Sequence, residues 1–297
     1  IISGAKVSGA RYFYGAARGT LGNVDNQQFQ EFIWQKGREL YRDMPWRRDV
    51  RGYAVLVSEL MLQQTQVARV IPKFEQFMAV FPDEKALSQA DLGEVLALWQ
   101  GLGYNRRAKF LWEASNTLVT DFAGTMPSTE AELLRLPGVG KNTAGAILAY
   151  AFNQPSIFIE TNIRTVFIHH FFADEEVVQD VHIASLIAST LDREHPREFY
   201  WALMDYGAAL KAMGVRTNSR VKGYAKQSKL EGSLRQMRGR IIAVLTERGP
   251  LADASLRQAV DADERYQLAL TGLQKDELIH QKDGIWYTGY YDETTTS

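Results

Sequence analysis

Cysteine is absent from the 297 residues. In this chain that excludes disulfides, thiolate zinc sites and a cysteine-ligated iron–sulfur cluster, and it fits a reducing compartment. Apolar runs long enough to span a bilayer are missing too, so no membrane partner is expected. The opening "IISGAKVSGARYFYGAARGTLGN" has no compact apolar core followed by a small-residue cleavage site, and residues 1–24 read as an N-terminal extension rather than a signal peptide. Excess charge is lacking as well. With 34 Lys and Arg against 35 Asp and Glu, the chain is not a wholly basic nucleic-acid binder, although a local basic face remains open to it. What is present is an ordinary globular composition, long enough for one large domain or two smaller ones.

From about Gln27 to Leu210 apolar residues recur three and four apart, with Gly and Pro breaks, and strand-like alternation is scarce. A mainly α domain over 25–210 is expected. The next segment, 211–232, carries Lys211, Arg216, Arg220, Lys222, Lys226 and Lys229 against one acid, Glu231. It reads equally as a solvated linker and as a strap tracking phosphates. From residue 233 to 291 the order is helix, helix, helix, then two short strands around Lys282, Asp283 and Gly284, which is the order of a winged helix. Its third helix, placed at Glu264 to Lys275, would be the recognition helix if the module touches DNA. Glu264, Asp276 and Glu277 beside it make protein contact an equal expectation.

Chemistry concentrates in a few stretches. In "LLRLPGVGKNTAGAI" a helix entered through a Thr129 to Glu132 capping box gives way to Pro137-Gly138-Val139-Gly140, and a second helix starts at Lys141. Two glycines let backbone approach a ligand closely, and helix N-terminal amides beside Lys141 suit a phosphate. An ordinary helical hairpin with a Gly turn has the same pattern. In "SELMLQQTQVARVIPKF", Glu59 shares a helix face with Val55, Leu56, Leu62 and Gln63. Such a glutamate is either a rim residue paired with an arginine or a desolvated general acid. Glu160, in "IETNIRTV", has the opposite setting. With Thr161 or Asn162 as the helix cap, its carboxylate lies at the positive end of the helix dipole, which favours the charged form. Two carboxylates pushed in opposite directions suit an acid and a charge stabiliser, although Glu160 could equally do no more than complement the dipole. His169 and His170 point to different faces of one helix without partners at metal-ligand spacing, and no metal site is expected.

Together with "PWR" and "WQGLGYNRRAK", these segments stand in an order and spacing that resembles the helix-hairpin-helix DNA glycosylase superfamily, most nearly the adenine-specific mismatch glycosylases of the MutY type. The resemblance runs over about residues 44 to 208. It implies a mainly α, bilobed glycosylase fold with DNA crossing the cleft and a nucleotide flipped into a pocket, to which this chain adds the C-terminal winged-helix module. It places Glu59 as the acid that protonates the adenine ring, and Glu160 as the stabiliser of an oxocarbenium-like sugar. Trp46, Arg47, Leu62 and Asn162 would line the base pocket. Gln64 and Thr65 would probe the gap and the opposing base, Leu102 and Tyr104 would wedge into the duplex, and Gly138, Gly140 and Lys141 would hold a phosphate.

Departures from the family pattern refine the expectation. Glu160 replaces the family's aspartate. Asn142 occupies the catalytic position where bifunctional relatives place a Schiff-base lysine, so no β-lyase activity is expected. Lys211 replaces the first cluster cysteine, Trp201 stands where relatives often have Gln or Glu, and the family's domain for reading 8-oxoguanine has no evident counterpart. The reading is a monofunctional base-excision-repair glycosylase, a monomer acting on mismatched or oxidised double-stranded DNA and removing adenine opposite 8-oxoguanine or guanine. The alternatives are a uracil or thymine glycosylase and a catalytically silent DNA-binding paralogue. No cofactor is expected, apart from room for a monovalent cation at the hairpin carbonyls. A bacterial-type cytoplasmic, nucleoid-associated location follows from the resemblance.

Overall fold

The computed structural model describes residues 26–172, 175–217 and 229–289. The N-terminal extension and residues 218–228 of the basic segment lie outside them. In chain order the elements begin with α1 (Asn26–Leu40), α2 (Pro45–Arg48), α3 (Gly52–Leu62), α4 (Val67–Val80), α5 (Glu84–Ser88) and α6 (Leu92–Trp99). They continue with α7 (Arg106–Asp121), α8 (Glu130–Leu133), α9 (Lys141–Phe152), α10 (Thr161–Phe171), α11 (Asp180–Thr190) and α12 (Pro196–Ala212). The C-terminal part is α13 (Leu234–Arg248), β1 (Leu251–Ala252), α14 (Asp253–Ala259), α15 (Tyr266–Lys275), β2 (Ile279–Lys282) and β3 (Ile285–Thr288). No helix among the described residues is long and apolar enough to cross a membrane.

The elements sort into two compact units, each drawn from separated stretches of sequence. One comprises the described parts of Ile1–Asp43 and Lys141–Lys226, the other Met44–Gly140 and the described part of Gln227–Ser297. In the first, α12 packs along α1, α9 and α10. Phe29, Ile33, Phe167, Phe199 and Leu203 are fully enclosed there, with the Phe29 and Phe167 rings 5.5 Å apart. Arg42 reaches back to α12, where its Nε donates to the buried carboxylate of Asp205 at 2.6 Å.

In the second unit α3 is enclosed on nearly every side, since its residues Tyr53 to Ser58, Leu60 and Met61 are all buried. A helix that is apolar all round belongs at the centre of a core. Phe77 and Trp99 close over the same core in an edge-on contact at 6.1 Å. The helix α6 starts from a reciprocal capping box between Asp91 and Glu94.

The winged-helix order is present in this unit. Ser233 caps α13, accepting from the Gln236 amide, and β2 and β3 pair antiparallel across a turn at Asp283 and Gly284, both with positive φ. The two-residue strand β1, too short to show a period in the sequence, adds to β3 and gives the sheet order β1-β3-β2. Asp253 stitches the module internally, its Oδ1 accepting from the Trp286 indole and the Tyr266 hydroxyl at 3.0 Å each. The third helix begins at Tyr266, two residues later than expected, because Arg265 folds back onto the Asp263 carboxylate and forms the helix cap.

Candidate active site

Each unit contributes one group of the expected residues. In the second unit Glu59 lies half-buried on α3, one turn before the helix ends. Beyond Leu62 the chain turns sharply through Gln63 and Gln64, the latter at φ 54°, and the Thr65 amide donates back to the Leu62 carbonyl at 3.2 Å. Gln64 is exposed and Leu62 and Thr65 are half-buried.

The last carbonyls of a helix have no partner within it and need donors from elsewhere. Here they find one in Arg107, a residue without an assignment in the sequence reading. Its Nη1 donates to the carbonyls of Leu60 (2.6 Å), Met61 (3.0 Å) and Gln63 (2.6 Å). Its Nη2 donates to Thr65 Oγ1 (3.2 Å) and to the carbonyls of Leu102 (3.1 Å) and Gly103 (2.9 Å). One guanidinium therefore joins the end of the Glu59 helix to the Gly101–Tyr104 turn. Burial pushes the Arg107 pKa down to about 10, opposed by Tyr104, and leaves the group charged at neutral pH.

That turn runs through positive φ at Gly101, Gly103 and Tyr104. Leu102 is 4 % exposed and packed into the core, whereas Tyr104 is half-buried. The guanidinium of Arg107 lies 5.5 Å from the Tyr104 ring, and that of Arg235 lies 5.0 Å from it. Trp46 and Arg47, expected in the base pocket, are buried on the single turn of α2, and the Trp46 ring meets Phe74 edge-on at 5.5 Å.

The hairpin's first helix is shorter than its sequence suggests. Thr129 caps it as expected, but α8 ends at Leu133, and a series of turns carries the chain to Gly138. Gly138 has φ +77°, and a Cβ there would lie 2.7 Å from Phe110 Cβ. Both demands require glycine. A Cβ at Gly140 would meet open space, and Lys141 is exposed at the first position of α9.

The first unit holds the second group. Neither Thr161 nor Asn162 caps α10. Glu160 does so itself, its Oε2 accepting from the Asn162 amide at 2.6 Å. The chain leading into Glu160 is held by Asn142, whose Nδ2 donates to the Ile159 carbonyl and whose Oδ1 accepts from the Ile159 amide, each at 3.2 Å. A carboxamide there works as a two-point clasp on the main chain.

Asn162 in turn is held by Lys211, which donates from Nζ to Asn162 Oδ1 at 2.8 Å. Burial lowers the Lys211 pKa, the Glu160 carboxylate acts in the opposite direction, and Arg164 adds to the lowering. Gly207 allows this packing, because a Cβ there would lie 2.3 Å from the Asn162 carbonyl oxygen. An ammonium engaged in this way, in a chain without cysteine, does not fit an iron–sulfur cluster at this place. His170 is buried with Nε2 2.9 Å from the Tyr206 hydroxyl, and burial, with His169 acting the same way, pushes its pKa down to about 3. No group of His, Asp or Glu among the described residues could hold a metal ion.

Glu59 and Glu160 thus belong to different units, each with a defined local setting. Of the expected residues, Leu62, Gln64, Thr65, Leu102 and Tyr104 are gathered with Glu59, while Asn142 and Asn162 are gathered with Glu160.

Residues 57–187 match the HhH-GPD superfamily of base excision DNA repair proteins. The adenine DNA glycosylase of Mycobacterium tuberculosis is 34% identical over 264 residues, which cover 80% of this chain and 86% of that protein. The adenine DNA glycosylase of Buchnera aphidicola subsp. Baizongia pistaciae is 37% identical over 173 residues, 57% of this chain and 48% of its own. The chain thus spans about half the length of that relative. Among solved structures, a thermostable thymine-DNA glycosylase superposes with a TM-score of 0.56 at 21% identity, covering 67% of this chain and 96% of the other. A trapped endonuclease III–DNA covalent intermediate superposes with a TM-score of 0.52 at 17% identity, covering 62% and 86%. These two show the fold. Similarity along most of both chains to the mycobacterial protein shows more: this protein belongs to the adenine DNA glycosylase family of the HhH-GPD superfamily.

Proposed function

We propose that this protein is a monofunctional DNA glycosylase of base excision repair, hydrolysing the N-glycosidic bond of adenine opposite 8-oxoguanine or guanine in double-stranded DNA. The observation that carries this reading is the similarity to an adenine DNA glycosylase along 80% of the chain. In the proposed reaction Glu59 protonates the adenine ring and makes it a leaving group. The negative charge of Glu160 stabilises the cationic sugar as the base departs. Trp46, Arg47, Leu62 and Asn162 surround the flipped base. Gln64, Thr65 and Tyr104 contact the gap and the opposing base, while Leu102, enclosed in the core rather than free to wedge into the duplex, supports the turn that carries Tyr104. Gly138, Gly140 and Lys141 hold a backbone phosphate. Asn142 offers no amine, which supports hydrolysis without strand scission.

The test is a single-turnover assay on duplexes carrying A:8-oxoG, A:G, U:G and T:G, each worked up with and without hot alkali. Strand cleavage after alkali alone, fastest for the two adenine mismatches, is the expected result. Cleavage without alkali would refute the monofunctional assignment. Preference for U:G or T:G would replace adenine as the substrate. Tight binding without base release from any duplex would make the protein a silent paralogue.

Lys211 separates chemistry from folding. Replacing a partly desolvated ammonium by an apolar chain of similar length offsets the relief of its desolvation against the donor lost to the half-buried Asn162 Oδ1. Lys211→Met is therefore expected to keep the melting temperature while lowering the single-turnover rate about tenfold, since small displacements of positioned groups cost rate steeply. An unchanged rate would show that Asn162 needs no anchor.

A further inference from the structure

The sequence leaves the winged helix without a task, and its acidic residues count against a DNA contact. The structure shows where two of those acids go. Asp276 pairs with Arg238 inside the module and with Arg106 of α7 at 3.6 Å, and Glu277 pairs with Lys109 of α7. Gln100, which follows α6, donates to Thr246 of α13 at 3.2 Å. A Cβ on Gly93 of α6 would lie 2.7 Å from Thr288 Oγ1 of β3, so strand and helix are in close contact. The module is therefore seated on α6 and α7, the two helices that flank the Gly101–Tyr104 turn. From the first turn of α13, Arg235 places its guanidinium 5.0 Å over the Tyr104 ring and donates from Nη1 to the Tyr104 hydroxyl. Cation–π contact and a hydrogen bond fix both the plane and the tip of one aromatic ring.

We propose that Arg235 is a specificity-determining positioning residue: through it the winged helix orients Tyr104 and so sets how well the protein distinguishes a mismatched from a matched duplex. This rests on the reading above that Tyr104 meets the DNA at the opposing base. The module then has a role in discrimination that requires no contact of its own with base edges. The ring contacted by both Arg107 and Arg235 presents a stiff wedge, and stiffness in a probe converts small differences in duplex deformability into differences in binding.

The experiment uses the full chain and the variants Arg235→Ala, Arg235→Lys, Tyr104→Ala and the double Arg235→Ala/Tyr104→Ala, each checked for an unchanged melting temperature. Fluorescence anisotropy at several salt concentrations gives affinities for A:8-oxoG, A:G and matched A:T duplexes. Arg235→Ala is expected to lower the ratio of mismatched to matched affinity about tenfold. Arg235→Lys, which keeps the charge over the ring, should restore part of that ratio. In the double variant the two losses should not add, because coupled residues share one effect. Equal weakening on every duplex with a smaller salt slope would identify Arg235 as a phosphate contact and overturn the proposal. Additive losses, or no discrimination by the parent protein, would overturn it as well. Binding is read without base release, so failure of the proposed chemistry and failure of this proposal give different results.

Discussion

Glu59→Gln is expected to lower the single-turnover rate of base release by about a hundredfold to ten-thousandfold, the range that a positioned general acid supplies, while affinity for mismatched DNA stays within about twofold. Glutamine has the shape of glutamic acid but no transferable proton, and the half-buried position on α3 accepts it without repacking. Adenine leaves poorly as an anion, so loss of the proton donor falls on the step where the bond breaks. The measurement is base release with enzyme in excess, beside anisotropy on the same duplex. Turnover close to that of the parent protein would remove Glu59 from the reaction. Loss of binding together with rate would mean that the side chain holds the fold or the DNA and not the proton.

Arg107→Met is expected to be among the most destabilising single substitutions in the protein. The six acceptors of Arg107 include five main-chain carbonyls, and residue 107 is 6 % exposed. Water has little access to replace the lost donors, and a buried acceptor left without a partner costs about 1–3 kcal/mol. Some relaxation will re-pair part of the set, so a loss of about 3–5 kcal/mol is expected. On the order of 10 °C in melting temperature corresponds to that loss for a domain of this size. Arg107→Lys should recover little, because an ammonium has three donors on one atom and cannot span both the end of α3 and the Gly101–Tyr104 turn. Thermal unfolding followed by circular dichroism decides the matter. A melting temperature within 2–3 °C of the parent, a shift of about 1 kcal/mol or less, would show that the carbonyls are satisfied by other means.

Local features were largely legible in the sequence, and long-range ones were not. Helical period placed the α region, the Pro137-Gly138-Val139-Gly140 turn placed the start of α9, and Asp283-Gly284 placed the hairpin of the winged helix. Each of these follows from interactions within a few residues. The cap of α10 fell outside the expected pair, Thr161 and Asn162, because glutamate is a rare cap and here Glu160 takes that place. The roles of Arg107, Lys211 and Arg235 had no sequence signal. Their most distant partners lie 47, 49 and 131 positions away, and in a row of basic residues nothing distinguishes the one that turns inward. The grouping of residues 233 onward with Met44–Gly140 was equally hidden, since charge on a surface helix reads alike whether it faces solvent or a neighbouring helix.

The clasp of Asn142 on Ile159 also bears on how the lyase and hydrolase chemistries divide between relatives. The carboxamide gives a hydrogen to the Ile159 carbonyl and takes one from the Ile159 amide, two contacts that a single amine nitrogen cannot make while keeping a lone pair for attack. Putting a nucleophilic lysine at this position would therefore release the Ile159 amide just ahead of Glu160. On the proposed reading, a lysine that formed a covalent adduct at this position would give up that hold on the chain leading into Glu160.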